Sequence, residues 1–179
     1  MRDWARRIDE NLFPVSGRDD ADSIESDLRA ILKDQSKTET ERLAELAVRL
    51  GQGKFRADLL REFGNACSAT RLAVPAALRA SHIVPWKKAD HDERRDPKNG
   101  LLLSANLDAL FDRHMITFGP DGKLQMSALL APHDTERLGP MPDLPWTPCD
   151  ERAAYLRRHN AEFERWEIKR LDYVSASAR

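Results

Sequence analysis

The chain has 179 residues, 41% of them hydrophobic and 33% charged, and a formal net charge of −1. That is an ordinary soluble globular composition, enough for one domain or for a small domain with an appendage. It argues against a uniformly basic nucleic-acid binder, and no apolar run approaches the roughly 20 residues of a membrane span. Met1-Arg2-Asp3-Trp4 has charge but no apolar run behind it, so the start does not read as a secretory signal. The two cysteines, Cys67 and Cys149, belong to no Cys-x-x-Cys pair. A structural zinc knuckle is therefore not expected, and both read as reduced thiols of a cytoplasmic protein.

Trp4, Ile8 and Leu12 recur every four residues and predict a short helix before Pro14. Ile24, Leu28, Ile31 and Leu32 form a second helical stripe. Thr38 and Glu41 have the spacing of a capping box. The helix they open carries Leu43, Leu46, Ala47 and Leu50, and Gly51 is expected to close it. Phe55, Leu59, Leu60 and Phe63 mark a fourth helix, ending near Gly64-Asn65. These stripes read as core.

From Cys67 the period changes. Residues 72–74 and 78–84 predict two short strands paired around a turn near Pro75, with Pro85 ending the second. Residues 87–98 carry nine charged side chains, with His91 as a further possible cation, and predict a surface loop. Leu101, Leu102 and Leu103 form a short buried segment. Ser104 or Asn106 then caps a helix with Leu107, Leu110 and Phe111 on its apolar face. A strand over 115–118, a turn at Gly119-Pro-Asp-Gly and a strand over 123–130 follow. Residues 131–149 hold five prolines and predict an irregular wrap; Asp150 caps a last helix, which frays after Val174.

Charge is distributed unevenly. Residues 19–50 hold nine acidic and five basic side chains, a net of −4, and residues 54–98 hold ten basic and six acidic, a net of +4. The second stretch is the part suited to face phosphates. It leads into the most informative segment. His82 ends an apolar strand, Asn99 stands in a turn, and Asp108 and Asp112 are four residues apart. On a helix that spacing puts both carboxylates on one face, where one hard cation can take both. Hydrolysis of a phosphodiester needs an activated water and neutralisation of growing charge. An imidazole suits the first task near neutral pH and a divalent cation the second.

Ser81-His82-Ile83 with Pro85-Trp86, Asn99-Gly-Leu-Leu-Leu-Ser104, and Asn106-Leu-Asp108 with Leu110-Phe-Asp-Arg113 resemble the HNH endonucleases. More narrowly they resemble a bacterial branch reading S-H-I-x-P-W and N-G-L-L-L-S-x-N-L-D. The resemblance is good over residues 51–118 and weak over the N-terminal helices. It implies an α+β fold: a helical segment over 1–53, then a nuclease domain over 54–174 built on a ββα-metal motif with a C-terminal helix, then a frayed tail over 175–179. It implies metal-dependent hydrolysis of DNA to 5′-phosphate and 3′-hydroxyl ends. His82 would be the general base, Asn99 would orient it, and Asp108 and Asp112 would hold one divalent metal ion. Lys87, Lys88, Arg94, Arg95 and Arg113 are candidates for contact with the DNA backbone.

One departure matters. Many members carry Asp, Glu or His immediately before the catalytic histidine, where this chain has Ser81. Two carboxylates with water and substrate phosphate then suit Mg²⁺ or Mn²⁺ better than Zn²⁺. Ser81 also favours a competing reading, an HNH-fold DNA-binding module without useful turnover. A third reading is a toxin or effector whose acidic N-terminal helices bind a basic partner. One such site cuts one strand, so double-strand cleavage requires a homodimer or two successive events. His91, His133 and His159 suggest no chemistry, and His114 is expected at the surface.

Overall fold

The structure, a computed structural model, describes residues 28–177. The chain divides between Lys54 and Phe55 into two compact units. The stripe at Trp4, Ile8 and Leu12 lies outside the described residues, and of the second stripe residues 28–33 are helical.

Helix α1 spans Glu39–Glu62. The capping box forms as expected. Glu41 accepts from the Thr38 backbone N–H (2.7 Å), and the Glu41 N–H donates to Thr38 Oγ1 (3.3 Å). The expected third and fourth helices are one, however. Gly51 does not cap; it lies inside α1. A helical glycine costs only about 1 kcal/mol relative to alanine. The chain stops instead at Gly64 and Asn65, both at positive φ (62° and 57°), as helix ends favour.

Residues 72–74 form no strand, contrary to expectation. Pro75 opens a 3₁₀ turn over Pro75–Ala77. Strand β1 (Leu78–His82) finds its partner beyond the charged loop, pairing antiparallel with β2 (Gly100–Ser104) so that His82 faces Gly100 and Ser81 faces Leu101. Leu101, Leu102 and Leu103 are fully buried and take the place beside β1 that 72–74 would have taken. Helix α2 (Ala105–Asp112) follows directly, with Ser104 at its N-cap position but no side-chain cap. A second two-stranded sheet joins β3 (Ile116–Phe118) to β4 (Leu124–Met126). The proline-rich stretch is not wholly irregular. Helix α3 spans Pro132–Leu138, because proline at a first helical position gives up no hydrogen bond. Helix α4 spans Asp150–Ser177, running past the expected fraying point, with Asp150 and Glu151 favouring its N-terminal dipole. No described helix is long and apolar enough to cross a membrane.

The core of the second unit gathers Phe55, Leu59 and Phe63 from the end of α1, Leu101–Leu103 from β2, Leu107 and Phe111 from α2, and Leu156 from α4. Burying side chains of this size contributes roughly 1.5–3 kcal/mol each. Polar clamps then fix the loop before β2. Arg152, 3% exposed, donates from Nε to the Gly100 carbonyl (3.1 Å) and from Nη2 to the Pro97 carbonyl (2.9 Å). It also grips Glu62 through two bonds, at 2.9 and 3.0 Å. Tyr155 donates to Asp96 Oδ2 at 2.9 Å. Cys67 and Cys149 are both free thiols, Cys67 buried.

Candidate active site

The end of β1, the loop behind it and α2 enclose a cavity of about 630 Å³ lined by Ser81, His82, Trp86, Asp108 and Asp112, among others. Segments far apart in the chain thus bring the predicted base and both predicted carboxylates to one space.

His82 is fixed on three sides. Its ring stacks on Phe55 (centroids 3.9 Å, interplanar angle 6°) and meets Trp86 edge-on at 5.6 Å. Its Nε2 lies 3.1 Å from the Arg94 carbonyl. A carbonyl only accepts, so in the neutral ring Nε2 carries the hydrogen and Nδ1 keeps the lone pair. Burial lowers the His82 pKa below its usual 6.5, against the Arg94 hydrogen bond, which raises it. The ring is therefore a neutral acceptor at physiological pH.

Asn99 is fully buried and acts at one remove. Its Oδ1 accepts from the Val84 N–H (2.8 Å), and its Nδ2 donates to the Glu93 carbonyl (3.0 Å). It ties the backbone just after His82 to the residue before Arg94. Asn99 does not touch the imidazole; it sets the carbonyl that does.

Asp108 is half-buried and Asp112 exposed, both on α2. Desolvation raises the Asp108 pKa, while Ser81 and Arg79 oppose it. Desolvation and the neighbouring Asp108 charge raise that of Asp112, and Arg113 opposes. Two carboxylates that repel each other beside a cavity are suited to share a cation. The Ser81 hydroxyl is buried beside the Asp108 carboxyl and favours its charged form, so the cavity wall holds an oxygen next to the two carboxylates. Among the described residues no three His, Cys, Asp or Glu side chains converge on one point. The donor set fits a hard cation that keeps water or phosphate oxygens in its other positions, and not the nitrogen and sulfur cage of a structural zinc.

The candidate DNA contacts separate. Lys87 and Arg113 line the cavity. Arg94 turns inward, its Nε donating to the Trp86 carbonyl (2.9 Å) and its guanidinium lying 5.2 Å from the Trp86 ring centroid. Arg95 is exposed on the loop outside the cavity wall. Lys88 lies beyond Pro85 and pairs with Glu162 at 3.0 Å. Arg79, Trp86 and the Phe55 ring were not singled out as parts of the site by sequence. An arginine three residues before the histidine was the available signal for Arg79.

Residues 67–119 match the family model described as HNH endonuclease. No curated protein matches the chain. The HNH match runs from Cys67 through β1, β2 and α2 to the end of β3, and points to a nuclease or DNA-binding role. It includes the cavity's polar residues and omits Phe55 and α4, which hold them in place.

One histidine corrects the sequence reading. His114 is not at the surface but 8% exposed, and His159 is 2% exposed. Their rings lie 3.1 Å apart, Nδ1 to Nε2, directly behind α2. Arg170 donates to the Arg113 and His114 carbonyls, each at 2.6 Å, closing the C-terminal end of α2.

Proposed function

We propose that this protein is a metal-dependent endonuclease that hydrolyses DNA phosphodiesters, with His82 as general base. The observation that carries this reading is the single cavity lined by His82, Asp108 and Asp112. Nδ1 of His82 accepts the proton of the attacking water, and the Arg94 carbonyl then steadies the imidazolium through Nε2–H. Asn99 positions that carbonyl. Asp108 and Asp112 would hold one divalent ion, Mg²⁺ or Mn²⁺ in preference to Zn²⁺, with Ser81 beside them. When bound, the ion supplies positive charge for the phosphate and leaving oxygens. Lys87, Arg113 and Arg79 at the rim draw in the phosphate backbone.

Nicking of supercoiled plasmid with Mg²⁺ or Mn²⁺, set against EDTA, tests this. Metal-dependent nicking that His82→Ala removes is the expected result. Plasmid bound but never cut would favour the DNA-binding module, which Ser81 and the absence of a third converging ligand among the described residues support.

A further inference from the structure

A second cavity, of about 310 Å³, lies on the other side of Pro85, lined by Val84, Pro85, Lys88, His114, Arg158 and Glu162 among others. Pro85 lines both cavities. The hydrogen bonds behind it fix what this cavity offers.

The Asn160 amide turns its nitrogen to the Phe118 carbonyl (2.9 Å), the Leu156 carbonyl (3.1 Å) and Thr117 Oγ1 (2.6 Å), its two hydrogens shared among the three acceptors. The opposite orientation would set an amide oxygen against two carbonyls. Thr117 Oγ1 thus accepts from Asn160 and turns its own hydrogen to His159 Nδ1, 2.7 Å away. His159 then carries its hydrogen on Nε2, as the Phe111 carbonyl at 3.1 Å also demands. That Nε2–H also faces His114 Nδ1 at 3.1 Å, so His114 Nδ1 accepts and the His114 hydrogen sits on Nε2. Among the described residues no protein group accepts from it, and His114 lines this cavity, so the donor is left for an acceptor from outside.

The other polar groups agree in kind. Lys88 and Arg158 bring donors only, each paired with one carboxylate, Glu162 and Glu93 respectively. Glu162 is also engaged by Arg165 at 3.2 Å. Exposed pairs of this type are weak and exchange readily for a phosphate. We infer that this second cavity is a phosphate subsite for the DNA strand entering the His82 cavity, with His114 Nε2–H, Lys88 and Arg158 as donors and Glu162 as the group the phosphate displaces. The inference rests on the DNA reading above. It adds a fixed contact at a linkage neighbouring the one that is cut.

The test is a series of duplexes, each with one neutral methylphosphonate linkage, bound to the full chain in EDTA. One linkage close to the cut should lose about tenfold in affinity when neutral, and only there should Lys88→Ala cause no further loss. Glu162→Gln should tighten binding several-fold to the native duplex, with the gain gone when that linkage is neutral. Inorganic phosphate, titrated while the His114 ring ¹⁵N shifts are followed, checks for a free anion. A flat methylphosphonate profile with plasmid nicking intact would overturn the subsite and leave the nuclease reading standing. Phosphate binding with a flat profile would assign the cavity to a free anion and overturn the DNA assignment. Failure to bind DNA at all would overturn both readings together.

Discussion

At the scale of single residues, the proposed chemistry depends on one protonation state. Burial holds the His82 pKa below 6.5. The working form is the neutral ring, so kcat/KM should rise with pH through that pKa and level off above it. The acid limb of a pH–rate profile should therefore have its midpoint below 6.5; a midpoint well above 7 would contradict a desolvated base. His82→Ala should lower kcat by about 10²–10⁴-fold with DNA affinity largely kept, measured by single-turnover cleavage beside equilibrium binding. The two carboxylates should differ. Asp108 is the more buried and has Ser81 and Arg79 beside it, whereas Asp112 has Arg113. Asp108→Ala should raise the Mn²⁺ concentration needed for half-maximal cleavage more than Asp112→Ala does. An Asp108→Ala protein with the parent's Mn²⁺ response would remove Asp108 from the site. The shared helical face of Asp108 and Asp112 was legible in the sequence from their spacing, whereas the role of His82 came from the resemblance to the HNH endonucleases. The place of His114 was not legible, because no local pattern shows that a histidine past a helix end meets another histidine 45 positions away.

At the scale of elements, the base is held by the end of α1 as much as by its own strand. Gly100 faces His82 across the β1–β2 ribbon, and a Cβ there would lie 2.5 Å from Phe55 Cζ and 2.9 Å from Leu59 Cδ1. Gly100→Ala should thus cost about 1–3 kcal/mol through overpacking. It should also move the ring on which His82 stacks, so kcat should fall. Thermal unfolding and initial cleavage rates check both halves; full activity in Gly100→Ala would show that the Phe55 stack does not position the base. Helix existence was readable from apolar periodicity, and the capping box at Thr38 fixed a boundary. Strand partnership was not readable. Residues 72–74 and 101–103 are both short apolar runs, and only the competition for a fully buried place decides which pairs with β1. Gly51 misled for a related reason: its cost within a helix is smaller than that of breaking an otherwise continuous helical run.

At the scale of the molecule, stability should itself depend on pH. Burial, then the neighbouring His114, lower the His159 pKa from 6.5 to about 3, against the Phe111 hydrogen bond. The unfolded chain takes up this proton near 6.5 and the folded one near 3, so unfolding binds protons in between. Stability is therefore complete above about 6.5 and falls as pH drops through the window, by about 2 kcal/mol at pH 5. Urea unfolding from pH 7.5 to 4.5 should show this, and His159→Gln should flatten the His159 share of the slope. A parent protein equally stable at pH 7 and 5 would rule out a buried neutral His159. The same α4 helix grips the Asn99 turn through Arg152 and Tyr155, and the end of α2 through His159 and Arg170. Every residue of the proposed catalytic set precedes it in the chain. A nascent polypeptide long enough to contain His82, Asn99, Asp108 and Asp112 still lacks the part that sets their spacing. Because such long-range contacts form late, competence to cut should appear only after residues 150–170 have left the ribosome. DNA near the ribosome would then face no active enzyme while the chain is still being made.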